Sequence, residues 1–253
     1  MRYMTVDKLQ VFITESRKEM GQFAGQDAAC MLKLILQEKE TVNVMFAAAP
    51  SQNDVLEELI RDTDIDWTRV NAFHLDEYIG LSADAPQGFG NFLRKKIFSR
   101  CPFRAVYYID PVTVDPQEEA LRYEQLLKEN PIDICILGVG ENGHMAFNDP
   151  GEADFEDPHL VRIVHLDERC RQQQVNDNCF KTIDEVPKVA LTVTIPGLLR
   201  AKMILCVVPT VNKAEAIAKM LTGPVTTQCP ASVLTRKQCA RLYLDSEAAS
   251  HLA

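Results

Sequence analysis

The sequence predicts an α/β fold, a sandwich of helices packed around a mainly parallel central sheet. Three observations predict it. Strand-like runs alternate with helical patterns along the whole chain, the order that builds βαβ units. The runs Ile132 to Leu137 and Met203 to Val208 are almost continuously apolar, as expected of strands covered on both faces. No repeat, low-complexity tract or interdomain linker interrupts the pattern, so residues 1–253 read as a single domain.

Composition bounds the function. A chain of 253 residues can bury a substantial core, and 46% apolar with 25% charged residues is ordinary for a globular protein. A net charge of −9 and a pI near 5.1 argue against nucleic-acid or anionic-membrane partners, so an anionic ligand would need a local cationic pocket. The eight cysteines show no CxxC and no zinc-type spacing with the five histidines, so no metal site is expected. No run approaches a membrane span and no signal-peptide core opens the chain, so a cytoplasmic location is expected.

In order, Leu9 to Ile13 reads as a strand, and Asp27 to Gln37 as a helix with apolar Ala28, Met31, Leu32 and Ile35. Thr41 to Phe46 is the next strand. It runs through Ala47-Ala-Ala-Pro-Ser-Gln-Asn-Asp54 into a helix carrying Val55, Leu56, Leu59 and Ile60. Ser51 with Asp54 three residues on resembles a capping box. A strand-loop-helix of this form aims backbone N–H groups above the loop, which suits phosphate or merely caps a helix. Trp67 to Leu75 reads as a strand ending at Asp76 and Glu77, where carboxylates serve a site or simply face solvent. Gln87 to Phe98 and Pro116 to Asn130 are expected helices.

The central strand from Ile132 breaks into Gly138-Val-Gly-Glu-Asn-Gly-His144, with Asp149 before Pro150-Gly151. A titratable ring thus follows the carboxyl end of a core strand, where open α/β sheets bind ligands, and histidine is suited to proton transfer near neutral pH. The run formally matches a GxGxxG dinucleotide fingerprint. That reading requires a helix after Gly143, and Asn148, Asp149 and Pro150 oppose one. Beyond the loop, Val161 to Leu166 and Lys188 to Thr194 read as strands, with a polar helix or loop over Glu168 to Phe180 between them. A short helix passes through Leu198 and Leu199. After Met203 to Val208, the helix Ala214 to Leu221 is preceded by Lys213, and Arg241 to Asp245 is the last strand. A cation opposing the helix dipole suggests an anion bound there, or pairing with nearby Glu215.

Leu75-Asp-Glu-Tyr-Ile-Gly80, the string Gly138 to Gly151, Val186-Pro-Lys-Val-Ala-Leu-Thr192, Asn212-Lys-Ala-Glu-Ala216 and the closing Asp245-Ser-Glu-Ala-Ala-Ser250 resemble the glucosamine-6-phosphate deaminase (isomerase) family, in order and over nearly the whole chain. The resemblance implies a Rossmann-like three-layer sandwich and a hydrolase that converts glucosamine 6-phosphate and water to fructose 6-phosphate and ammonia. It implies no organic cofactor. Asp76 would move the C2 proton and His144 would act as acid and base in ring opening, supported by Asn142 and Asp149. Ala48, Ala49, Ser51, Gln52 (through its backbone N–H), Gly140 and Lys213 would hold the substrate and its phosphate. The partner is a small amino-sugar phosphate, and a homo-oligomer is compatible with the reading.

The chain also departs from the family. Asp149 stands where Glu is frequent, so its hydrogen bond to His144 is expected to be longer or bridged by water. The phosphate turn is Ala47-Ala-Ala-Pro-Ser51 rather than Gly/Thr-rich, and each Cβ narrows the backbone approach. The family's arginine, from an Asn-Ser-Arg-Phe-Phe run, has no match in Val175 to Phe180, leaving Arg169 or Arg171 as candidate substitutes. Basic residues for allosteric activation are not evident. Alternatives are the galactosamine 6-phosphate epimer as substrate, a 6-phosphogluconolactonase-like enzyme, or a non-catalytic sugar-phosphate-binding protein. Phe147-Asn148-Asp149 departs from the Ser-Leu-Phe-Pro that follows the lactonase histidine.

Overall fold

The apolar runs form strands, and the order in which the chain adds them to the sheet reverses at its middle. The computed structural model describes residues 1–176 and 178–252. Its strands are β1 (Arg2–Val6), β2 (Leu9–Ile13), β3 (Val42–Phe46), β4 (Val70–His74), β5 (Asp76–Tyr78), β6 (Ala105–Tyr107), β7 (Ile134–Leu137), β8 (Val161–His165), β9 (Val189–Val193), β10 (Met203–Val208) and β11 (Ala240–Leu244). The helices are α1 (Arg17–Glu38), α2 (Asn53–Arg61), α3 (Phe89–Leu93), α4 (Pro116–Glu129), α5 (Glu168–Asn176), α6 (Ile195–Leu199) and α7 (Ala214–Thr222).

Eight strands form the central sheet in the order β1-β2-β11-β10-β7-β3-β4-β6. All neighbours are parallel except the β1–β2 hairpin. From β3 the chain continues outward to β4 and β6, whereas from β7 it continues to β10 and β11 on the other side. The order therefore switches between β3 and β7, and the loops leaving these strands splay apart to open a crevice. Two apolar clusters fill the layers on the sheet's faces, with Leu137, Cys206 and Leu242 in one and Ile136, Val207 and Tyr243 in the other. This is the predicted α/β sandwich.

Several elements differ from expectation. Helix α1 begins ten residues earlier than Asp27, capped by Ser16, whose Oγ accepts the Glu19 N–H. Gly21 and Gly25 obscure this start in the sequence, because glycine disfavours helix. Their role is packing: a Cβ on Gly21 would lie 2.3 Å from Asp54 Cβ, and one on Gly25 2.5 Å from Glu58 Cβ. Trp67–Arg69 make a 3-10 turn before β4, and Arg94–Phe98 continue α3 as a π turn. The runs ending in β8 and β9 leave the central sheet. They join β5 in a separate antiparallel sheet, β5-β9-β8. The polar segment after Glu168 is helical to Asn176, and Asp177 within it lies outside the described residues.

Candidate active site

Four loops at the carboxyl ends of neighbouring strands line one cleft: Ala47–Ser51 after β3, Leu75–Asp76 after β4, Gly138–His144 after β7 and Pro209–Lys213 after β10. The site is thus built at the switch point. Of the expected residues, Asp76, His144, Gly140, Ala48, Ala49, Ser51 and Lys213 line it.

Asp76 enters through a change of sheet. The chain leaves β4 at His74 and pairs Asp76 with Thr192 of β9. His74 fixes that bend. Its Nε2 accepts the Ile109 N–H at 2.9 Å, so the proton resides on Nδ1, which donates to the Asp76 carbonyl at 2.9 Å. Burial lowers the His74 pKa to about 4, which keeps the ring neutral. The Asp76 carboxyl itself is buried beside Glu77, and desolvation followed by repulsion from that neighbour raises its pKa well above the carboxylate range. Glu77 serves the scaffold: its carboxylate accepts the N–H groups of Tyr78, Phe89 and Gly90, at 3.0, 2.9 and 2.8 Å. These bonds anchor the start of α3, whose Phe89 lines the cleft.

His144 is held from behind. Its Nδ1 lies 2.8 Å from Asp149 Oδ1 and 2.7 Å from Asn142 Oδ1. Both oxygens require Nδ1 to donate, which leaves Nε2 for a ligand. The Asp149 contact is direct, correcting the expected longer or water-bridged one: the tight turns Gly140–Gly143 and Met145–Asn148 bring the shorter side chain close enough. Asn142 Nδ2 reaches Asp149 Oδ1 at 3.0 Å and Asp167 Oδ2 at 3.3 Å, so Asn142 aligns the pair instead of lining the cleft. Burial would raise the Asp149 pKa. The His144 ring and hydrogen bonds from His144, Asn142 and Cys170 outweigh it and hold the carboxyl below its ordinary value. Gly140 is required here, since a Cβ would sit 2.1 Å from the His144 ring. The loop beyond is pinned to β9 by Phe147 N–H on Thr192 Oγ1 (3.1 Å) and Asn148 Nδ2 on the Val193 carbonyl (2.9 Å). No helix follows Gly143, which rules out the dinucleotide fingerprint.

Ligand atoms of His144, Asp149 and Cys170 also lie within 4.8 Å of one another, a grouping able to hold a metal ion. A metal there would have to break the His144–Asp149 hydrogen bond and take the proton of Cys170, whose pKa burial raises well above that of an ordinary thiol. The arrangement as it stands is a hydrogen-bonded His144–Asp149 pair with Nε2 of the ring turned to the cleft.

The Ala47–Ser51 turn behaves differently from the expected capping box. Pro50–Gln52 form a 3-10 turn, and α2 starts at Asn53 with no side-chain cap. Asp54 instead pairs with Arg17 Nε at 2.7 Å. Gln52 is a correction too. Its backbone N–H donates to the Ala49 carbonyl at 2.9 Å and is taken by the turn. Its buried side chain bonds Ser51 Oγ (3.0 Å) and the Val207 carbonyl (3.1 Å), bracing the turn from beneath.

Lys213 is buried at the start of α7, with Nζ 3.9 Å from Glu141 Oε1. Its loop contains Thr210 at φ +80°, a costly conformation for a β-branched residue. Asp245 sustains it, both carboxylate oxygens lying 3.1 Å from the Thr210 N–H. Neither Arg169 nor Arg171 lines the cleft: Arg169 donates to the Glu141 carbonyl, and Arg171 to the Ile183 and Val186 carbonyls. The α5 residues that do are Gln173 and Gln174. Sequence reasoning missed these two and Arg17, which lines the cleft from the start of α1. Only the unmatched family arginine hinted that its place was taken by other residues.

Comparison with known proteins agrees with this architecture. Residues 15–244 match the profile of the family described as glucosamine-6-phosphate isomerases/6-phosphogluconolactonase. A glucosamine-6-phosphate deaminase of Exiguobacterium sibiricum is 36% identical over 241 residues, 95% of this chain and 92% of that protein. One from Lactobacillus delbrueckii subsp. bulgaricus is 33% identical, over 96% of this chain and 100% of its own. Among solved structures, a monomeric glucosamine-6-phosphate deaminase superposes with a TM-score of 0.88 at 31% identity, covering 95% of this chain and 99% of that one. The 6-phosphogluconolactonase of Thermotoga maritima, at 20% identity, TM-score 0.75 and coverage of 94% and 99%, shares the fold. With nearly its whole length matched and its strand-end loops gathered in one cleft, this chain belongs to the glucosamine-6-phosphate isomerase/6-phosphogluconolactonase family.

Proposed function

We propose that this chain is an isomerase and deaminase that converts glucosamine 6-phosphate and water into fructose 6-phosphate and ammonia. The observation that carries the reading is the pair of acid–base groups in one cleft: a buried Asp76 with a raised pKa, and a His144 backed by an ionised Asp149. Relatives named glucosamine-6-phosphate deaminase at 36% and 33% identity support it.

Each step uses a group of this cleft. His144 opens the sugar ring, with Nε2 taking the O1 proton and returning one to the ring oxygen, while Asp149 stabilises the imidazolium in between. Asp76 then removes the C2 proton and delivers it to C1, while one ammonium proton passes to O1, so that the C1 aldehyde becomes a hydroxymethyl group and C2 an iminium. The substrate's own ammonium at C2 favours the ionised carboxylate, so the base is charged when its partner arrives. Water adds at C2 of the resulting iminium, ammonia leaves, and the ketose remains. Ala48, Ala49 and Ser51 of the turn, together with Lys213, form the phosphate end. All these groups come from one chain, so chemistry does not require assembly, although a homo-oligomer is compatible with it. Eight cysteines scattered without a disulfide framework fit a cytoplasmic setting.

The test is ammonia release coupled to fructose 6-phosphate detection, with glucosamine 6-phosphate and its galacto epimer assayed in parallel. Turnover of the gluco sugar is expected. Activity with the epimer alone would keep the chemistry and change the substrate; silence from both would sink the reading.

A further inference from the structure

We infer that Arg17 is the second cation of the phosphate end, replacing from α1 the positive charge that α5 does not bring to the cleft. The inference rests on the sugar-phosphate reading above. A phosphate monoester is close to a dianion at neutral pH, and in a protein of net charge −9 it needs local positive charge. Among the described residues, the cationic side chains of Arg17 and Lys213 line the cleft. On α5, the lining residues Gln173 and Gln174 are neutral, and Arg169 and Arg171 are committed to backbone carbonyls.

The geometry of Arg17 is that of a prepared anion ligand. Its Nε donates to Asp54 Oδ2 at 2.7 Å, and Nη2 donates to the Pro50 carbonyl at 2.8 Å. The second bond fastens the guanidinium to the same Ala47–Ser51 turn that lines the cleft. These two bonds use two of the five N–H donors of a guanidinium, leaving three for a ligand in a fixed fork that matches phosphate oxygens. The side chain is 39% exposed, so it remains within reach of a ligand entering the cleft. Asp54 acts here as a positioning residue. Its place is set by the glycine contact between helices, since Gly21, one turn along α1 from Arg17, packs directly on Asp54.

This also gives the Ala-rich turn a physical reading. Cβ atoms at 47 to 49 restrict how closely phosphate can approach the backbone, and a long side chain reaching over the turn supplies donors from the other side. Arg17 would thereby discriminate phosphorylated from unphosphorylated sugars, and would leave the reacting carbons untouched.

The experiment compares wild type, Arg17→Ala, Arg17→Lys and Asp54→Asn. KM and kcat are measured with glucosamine 6-phosphate, and inorganic phosphate binding is followed by calorimetry. Arg17→Ala should raise KM and weaken phosphate binding by about 10- to 100-fold, the loss expected for charge-assisted hydrogen bonds, with kcat changed by no more than roughly threefold. Arg17→Lys should recover part of the loss, and Asp54→Asn should give a smaller rise in KM. Unchanged KM and phosphate affinity in Arg17→Ala would overturn the assignment. So would a fall in kcat or thermal stability without weaker phosphate binding, because Arg17 would then be only a helix–helix tie. If wild type did not turn over glucosamine 6-phosphate, the proposed reaction would fail. The phosphate titrations would still decide Arg17 by the same criterion.

Discussion

Asp76 and Asp149 are two carboxyl groups driven in opposite directions by their surroundings. Asp76 is desolvated next to Glu77 and its pKa rises; Asp149 is equally hidden but faces His144, and its pKa falls. Replacing Asp76 with Asn should cut turnover by about 10²- to 10⁴-fold while the ligand still binds. A raised folded-state pKa means a stability contribution that is present at low pH and lost as pH climbs through the raised value. Asp76→Asn should therefore melt higher than wild type, by a margin that widens with pH, as calorimetry across a pH series would show. The sign reverses for Asp149. Its contribution is present above the ordinary carboxylate range and lost as pH falls through its depressed value, so Asp149→Asn should destabilise near neutrality and converge with wild type in strong acid. The same variant should lower kcat by on the order of 10²-fold, since the imidazolium loses its counter-charge. Both acids are legible in the sequence because each lies next to a strand end or a glycine turn. The direction of each shift is not, because desolvation depends on residues far along the chain.

At the scale of elements, the turn after β3 is held by α1 and α2 together. Gly21 and Gly25 let these helices approach closely enough for Arg17 to meet both Asp54 and the Pro50 carbonyl. A Gly25→Val substitution should force the helices apart, costing about 1–3 kcal/mol by overpacking and lowering the melting temperature by several degrees. It should also raise KM more than it lowers kcat, because the turn after β3 moves and the β4 and β7 loops do not. An unchanged KM in a correctly folded variant would count against this coupling. In the sequence these glycines look like helix breakers, which is why its pattern predicts the helix only from Asp27. A helix–helix contact resolves the conflict, and a one-dimensional pattern does not contain it.

For the whole molecule, the parallel strands and the antiparallel β5-β9-β8 sheet divide the work. The central sheet delivers the turn, His144 and Lys213, while the small sheet turns Asp76 into the cleft and pins the loop after His144 through Thr192 and Val193. The C-terminal segment is joined to the site through Asp245, which holds the Thr210 backbone. Asp245→Ala should free that strained loop, raising KM through Lys213 with a smaller effect on kcat. No activator-binding basic cluster is read in the sequence, so kinetics with glucosamine 6-phosphate should be hyperbolic; sigmoidal curves abolished by N-acetylglucosamine 6-phosphate would contradict this. Among the described residues no helix is long and apolar enough to cross a membrane.

The sequence by itself determined the α/β class, the order of most strands along the chain, and the placement of titratable residues and turns near their ends: Asp76, the Gly138–His144 turn, Asp149 and Lys213. These are local matters, set by hydrophobic runs, by glycines where the chain must turn, and by titratable residues placed just after a strand. Only the tertiary structure decided that β8 and β9 leave the main sheet, that Gln52 braces the turn and spends its N–H there, and that Arg17 reaches the cleft. Arg17 and Asp54 are 37 residues apart in the chain. Their contact depends on how closely two helices pack on the same face of the sheet, which no sequence period encodes.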